Sequence, residues 1–202
     1  MAFARLFGHP PEKIAAMVTS KACRDLADYW ASLRSPGGLP LRADVDPGAI
    51  RSLLPSLYIL ELTDRGTVTI RLAGTALRRL YGVEMTGRDM LELVRPEHRA
   101  IRLWRTLQAA NQPCGMYYTR SHGYASGATD DVESLFLPLI VNPATDGLQA
   151  RQLLGIAAST SDRRWVAEEE TGALMTPRDF EFVDVGFGVP PLTDPPDQPS
   201  GN

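Results

Sequence analysis

The 202-residue chain is 44% hydrophobic and 22% charged, a globular balance rich enough in apolar side chains to offset the entropy of ordering a core, which excludes a wholly disordered chain. A net charge of −3 supplies no cationic surface, and the arginines between Arg78 and Arg105 are interleaved with Glu84, Glu92 and Glu97, so neither nucleic acid nor membrane is an expected partner. No stretch approaches the roughly 20 apolar residues that cross a bilayer, the first residues lack a basic-then-apolar leader, and Cys23 and Cys114 match neither a CxxC pair nor a disulfide framework; reduced thiols in a bacterial-type cytoplasm are expected.

From about Glu12 to Leu33, Ile14, Met17, Val18, Leu26, Tyr29, Trp30 and Leu33 recur at three- and four-residue steps, the period of an amphipathic helix. Ser20 is placed to cap its second half, and the Ser35-Pro36-Gly37-Gly38 run ends it. Asp46 before Pro47 predicts a short helix stopping near Pro55. Leu57 to Leu62 and Val68 to Leu72 flank a Thr63-Asp64-Arg65-Gly66 turn and read as a hairpin. Thr75 is a candidate N-cap for a helix through Leu80, with Gly82 where a left-handed residue is wanted. Asp89 is placed to cap one turn at Met90 to Val94, and Pro96 opens a longer helix closed by Asn111-Gln112-Pro113, its inward side assigned to Ile101, Trp104, Leu107 and Gln108.

Three further strands are expected: Cys114 to Arg120, Val132 to Val141 and Gln152 to Thr160, joined by turn-rich segments. Strands gathered apart from helices define an α+β class, here a five-stranded antiparallel sheet with short helices on one face. Leu135-Phe136-Leu137-Pro138-Leu139-Ile140 and Leu153-Leu154-Gly155-Ile156 do not alternate with polar residues, so both faces are buried. The N-terminal helix, or a second copy of the chain, must cover the face opposite the short helices. The expected divisions are an N-terminal helical cap at 1–37, a sheet domain at 38–163, a C-terminal extension at 164–185 with a helix and a short extended piece at Phe180-Glu181-Phe182-Val183, and a disordered Pro-rich tail at 186–202.

Specific strings sharpen this reading. Trp30 with Leu33-Arg34, Asp44 through Pro47, Leu54-Pro55, Arg71-Leu-Ala-Gly74-Thr75, Gly82, Thr86-Gly87, and Glu133 with Leu135-Phe136-Leu137-Pro138-Leu139 together resemble a family of short alphaproteobacterial PAS-like proteins. The resemblance runs from about Ala22 to Thr160. It implies a PAS-like sheet and helical lid around a small pocket, used in signalling through partners or dimers, and it implies no reaction. Trp30, Gly74, Thr75, Gly82, Gly87, Glu133 and Pro138 enter as markers of the fold.

Arg71, in an apolar strand, has the donor fork to meet a ligand carboxylate or phosphate, against the plainer reading of an ion pair with Glu133 or a cap at Gly74. Trp104, Met116, Tyr117 and Tyr118 are the candidate pocket residues, against the plainer reading of aromatic core. His98, at the start of the long helix, is placed as a haem ligand would be, but Glu97 and Arg99 beside it mark it as exposed; His9 and His122 fall in loops. Between Thr75 and Gln112 there is no cysteine for a flavin photosensor, and the chain holds no nucleophile elbow, P-loop or dinucleotide fingerprint. Neither an enzyme nor a haem, flavin or metal cofactor is expected. The reading is a stand-alone sensory module that regulates a signalling partner by contact, as a homodimer; a receptor for a small apolar or carboxylated metabolite is the alternative and an enzyme the weakest.

Overall fold

The computed structural model describes residues 14, 16–63, 66–123, 129–146, 149–161 and 178–193. Their elements are helix α1 (Lys21–Ser32), strands β1 (Leu57–Leu62) and β2 (Val68–Ala73), helix α2 (Thr75–Tyr81), helix α3 (Arg99–Asn111), strands β3 (Gly115–Gly123) and β4 (Thr129–Leu139), the short helix α4 (Pro143–Asp146), and strands β5 (Gln152–Ser159) and β6 (Arg178–Val183). Single 3₁₀ turns stand at Leu54–Ser56, Met90–Leu93 and Pro96–His98. The expected α+β class holds, with one correction: the sheet has six strands, in the order β2-β1-β5-β4-β3-β6 with antiparallel neighbours. The sixth, Arg178–Val183, contains the extended piece expected at Phe180–Val183 and pairs along β3.

The local signals act largely where the sequence puts them. Ser20 caps α1 by accepting from the Cys23 N–H at 3.2 Å, and the Asp89 carboxylate accepts from the Leu91 N–H at 2.9 Å. Gly82 ends α2 at φ 70°, a conformation that costs a residue with a Cβ about 1–2 kcal/mol. Gly74, not Thr75, is the N-cap of α2, and its N–H donates to the Leu57 carbonyl at 2.8 Å. The helix predicted after Asp46 is instead a series of turns, although the Asp46 carboxylate accepts from the Gly48 N–H at 2.8 Å as a cap would. The loop expected from Ser121 to Asp131 is shorter than predicted: Ser121, His122, Asp130 and Asp131 lie in the paired strands, so His122 is a buried strand residue.

Both faces of the sheet are buried, as the unbroken apolar strands require. In β4, Glu133, Leu135 and Leu137 face α1, while Val132, Ser134 and Phe136 face the short helices; each side has its own core. The face opposite the short helices is covered by the chain's own α1, which seals it with Cys23, Leu26, Ala27 and Trp30.

Two polar anchors fix α1 to β4. The Glu133 carboxylate, itself buried, accepts the backbone N–H groups of Thr19 and Ser20 at 2.7 and 2.8 Å and the Tyr117 hydroxyl at 3.1 Å. It thus supplies acceptors where a helix start has orphan donors and a positive dipole end. At the other end, the buried Trp30 indole donates to the Pro138 carbonyl at 2.9 Å. Pairing of β3 with β4 stops at Phe136, so Pro138, still opposite Leu153 of β5, lies past the end of the β3 ladder, and its carbonyl is available to the indole.

The edge strands are not bare. Ile70 of β2 exchanges backbone bonds with Arg88 and Gly87 at 2.9 and 2.7 Å. On the far side, the Arg105 guanidinium of α3 stacks 4.1 Å from the Phe180 ring of β6. Of the segment expected to be a disordered tail, Gly186 and Gly188 donate to Asp184, the Phe187 ring lies 6.0 Å from the Arg34 guanidinium, and Pro190 is buried. The helix expected after Arg164 and the tail beyond Thr193 lie outside the described residues.

Candidate functional site

The face of the sheet under the short helices contains a cavity of about 30 Å³, room for roughly one water molecule. Its floor is Tyr58 and Leu60 of β1, Tyr118 of β3 and Phe136 of β4; its walls are Tyr81 from α2, then Met85, Met90 and Val94 from the connection to α3, and Arg102 from α3 itself. The floor is shaped by Gly155, the cross-strand partner of Phe136. A Cβ at position 155 would overlap the Phe136 ring, so glycine lets the phenyl lie flat across β5. Tyr118 stacks on Phe136 with ring centroids 6.0 Å apart, and Tyr58 lies 5.5 Å from it on the other side.

Into this aromatic floor the chain sends two guanidinium groups. Arg102 stacks 4.5 Å from Tyr118 and 5.4 Å from Phe136, and one of its terminal nitrogens donates to the Tyr118 hydroxyl at 3.1 Å and lies 3.7 Å from the Met90 sulfur. Its other terminal nitrogen, Nη1, is buried and has no hydrogen-bond partner among the described residues. Arg120, two positions beyond Tyr118 on the same face of β3, is fully buried; its Nη1 donates to the Ser134 hydroxyl at 3.4 Å, its guanidinium lies 5.3 Å from the Tyr81 ring, and Nε and Nη2 form no hydrogen bond of good geometry among the described residues. Burial pulls its pKa down, but Tyr81, Tyr58 and Tyr118 around it outweigh this and hold it above the ordinary arginine value. Neither arginine forms an ion pair with a carboxylate among the described residues.

The Tyr58 and Tyr81 hydroxyls are hydrogen-bonded to each other at 2.8 Å. Burial raises both above the ordinary phenol value, so both keep their protons at neutral pH. Since only one proton lies between the two oxygens, the other hydroxyl is a donor for a further acceptor. Farther along the same face the buried Asp130 carboxylate accepts from Ser159 and Ser161 at 2.9 and 3.1 Å, and His122 stands opposite it in the strand register.

Of the residues singled out in the sequence, Tyr118 lines this cavity and Met116 lies in the core beside it. Tyr117 points through the other face to Glu133. Trp104 is half-buried on α3 and outside the cavity lining, because the inward side of α3 is Arg102, Thr106, Ala109 and Ala110. Arg71 is exposed on β2 and pairs with Glu61 at 3.1 Å, so the ion pair expected with Glu133 is not formed. His98 is half-buried in the turn before α3, outside the lining. No cluster of three metal-ligating side chains occurs among the described residues, nor is any of their helices long and apolar enough to cross a membrane.

The arginines were the residues that sequence reasoning missed. Arg120 continues the inward alternation of Met116 and Tyr118, and Arg102 precedes Thr106, Ala109 and Ala110 at helical spacing; each was a legible inward position occupied by a charge.

The chain belongs to the PAS-domain family, whose sequence profile matches residues 18–157. That span takes in α1, strands β1 to β4 and most of β5. No curated protein matches the chain. Among solved structures it is similar to a LOV protein from Rhodobacter sphaeroides, with 15% identity, 55% of this chain covered and a TM-score of 0.40; the likeness spans 64% of that protein. It is also similar to a PAS domain from Colwellia psychrerythraea, with 16% identity, 58% of this chain and 100% of that one covered, and a TM-score of 0.39.

Proposed function

We propose that this chain is a sensory and regulatory PAS module, not an enzyme, in which a small molecule taken up on the helical face governs contact with a protein partner. The observation that carries the reading is an aromatic cavity lined by Arg102, a side chain with one buried donor unmet among the described residues. A buried polar group without a partner costs about 1–3 kcal/mol, and a ligand is the natural way to recover it. A non-enzymatic role is supported by two of the groups at the cavity: Tyr58 and Tyr81, their pKa raised by burial, keep their protons near neutral pH.

Partner contact, including that with a second copy in a homodimer, would use the solvent side of α1, since the sheet beneath it is already covered. Native mass spectrometry of freshly purified protein, followed by hydrogen exchange, tests the reading. A bound small molecule should slow exchange in Met85–Val94 and change it in α1. Binding that leaves α1 untouched, or an interior that takes up nothing from a metabolite set, would overturn it. Light scattering should give a dimer; a monomer at high micromolar concentration removes the self-association part.

A further inference from the structure

We infer that the molecule taken up at this cavity is a small carboxylate with an apolar body, its anionic end held by Arg102; the inference rests on the pocket reading above and specifies its chemistry. A guanidinium carries its donors in one plane and meets a carboxylate through two of them at once. Arg102, which lines the cavity, is prepared for this: its plane is fixed by stacking on Tyr118 and Phe136, one terminal nitrogen is held by the Tyr118 hydroxyl, and the buried Nη1 remains without an acceptor among the described residues.

Charge argues in the same direction. Arg102 and Arg120 both lie against the Tyr58, Tyr81 and Tyr118 cluster, both are buried, and the described residues give neither a carboxylate partner. Two buried cations without a counterion are costly in a low-dielectric interior. An incoming anion relieves that cost, whereas a neutral ligand of the same shape leaves it in place. The spare hydroxyl proton of the Tyr58–Tyr81 pair is a further donor for the anion. A single carboxylate suits the site better than a phosphate, because Leu60, Met85, Met90 and Val94 complete the lining and provide no donors for a second or third charged oxygen.

The cavity volume of about 30 Å³ has room for roughly one water molecule, so uptake of such a carboxylate requires Met85 and Met90 to move aside. Their unbranched thioether chains readjust readily.

The test is titration of the full chain with butyrate, benzoate, butyramide and inorganic phosphate, read by thermal shift and by the methyl NMR signals of Met85 and Met90. Butyrate or benzoate should raise Tm and move both methionine signals saturably. Arg102→Met should weaken that binding at least tenfold while Arg71→Met leaves it unchanged. Arg102→Met is expected to fold, since an apolar side chain in place of a buried unpaired cation is neutral or stabilising; Arg102→Lys, which keeps the charge and loses the fork, should also weaken binding and serves if the first variant does not fold. Equal binding of butyramide overturns the carboxylate and leaves the pocket reading intact, as does preference for phosphate. Silence of both methionines to every probe, neutral or charged, overturns the inference and the pocket reading together.

Discussion

Phe136 of β4 lies flat over Gly155 of β5, in the space that a side chain at 155 would need. The phenyl ring is at once the floor of the cavity and a stacking surface for Arg102. In Gly155→Ala the ring must lift off β5 toward Arg102 and Tyr118. The variant should be destabilised by about 1–3 kcal/mol, the usual cost of overpacking a filled core, and should lose any ligand of the cavity. Urea unfolding and the methionine NMR signals measure the two effects; a variant with native stability and native binding would refute this account of the floor.

Glu133 ties α1 to the sheet through two backbone N–H groups and the Tyr117 hydroxyl. Glu133→Gln keeps the shape but replaces a charged acceptor with a neutral amide, one of whose atoms can only donate. A loss of about 1.5–3 kcal/mol is expected, the range for hydrogen bonds to charged groups. Because these bonds hold the start of α1, hydrogen exchange should accelerate in residues 21–32 before it does in β4 or β5. Uniform acceleration over the sheet would mean that Glu133 does not hold the helix specifically.

The thiols provide a pH test. Burial raises both Cys23 and Cys114 from 9.0 to about 12. The folded chain therefore keeps both protons where the unfolded chain has released them, so stability is fully present below pH 9 and falls as pH climbs toward 12. Each group contributes a slope of up to about 1.4 kcal/mol per pH unit within that window, and the raised Tyr58 and Tyr81 act in the same sense at higher pH. Denaturant midpoints between pH 8 and pH 11 measure the decline, which Cys23→Ala should make shallower. The same burial predicts that neither thiol reacts with an aromatic disulfide reagent at pH 8 until the chain is unfolded.

Arg71 makes a contrasting case. It forms an exposed ion pair with Glu61, and such pairs contribute about 0–1 kcal/mol. Arg71→Ala should shift the denaturation midpoint within that range and leave ligand uptake unchanged; a tenfold loss of uptake would place the binding site on β2 instead.

Much of the fold was legible because local chemistry and long-range packing agreed. The Ser20 and Asp89 caps, the left-handed Gly82 and the unbroken apolar runs of β4 and β5 each specified a feature that forms. The site was less legible for a physical reason. Reading α3 by its large apolar residues turned Trp104 inward, but the helix approaches the sheet through small residues, Thr106, Ala109 and Ala110, and carries a charge at the head of that stripe. Tyr117 and Tyr118 were read as one cluster, although neighbours on a strand necessarily point to opposite faces. The sixth strand was hard to foresee because it returns to pair with β3 from far along the chain, a distance that local signals do not cover.

The alternation of β4 has a mechanical consequence. Three successive residues, Glu133, Ser134 and Leu135, give purchase in turn to the helix behind, the cationic side in front, and the helix again, with Phe136 next under the cavity. Whatever moves Phe136 therefore acts on the same strand whose Glu133 carboxylate holds Thr19 and Ser20 at the start of α1. The central ribbon is thus a lever with a handle on either side.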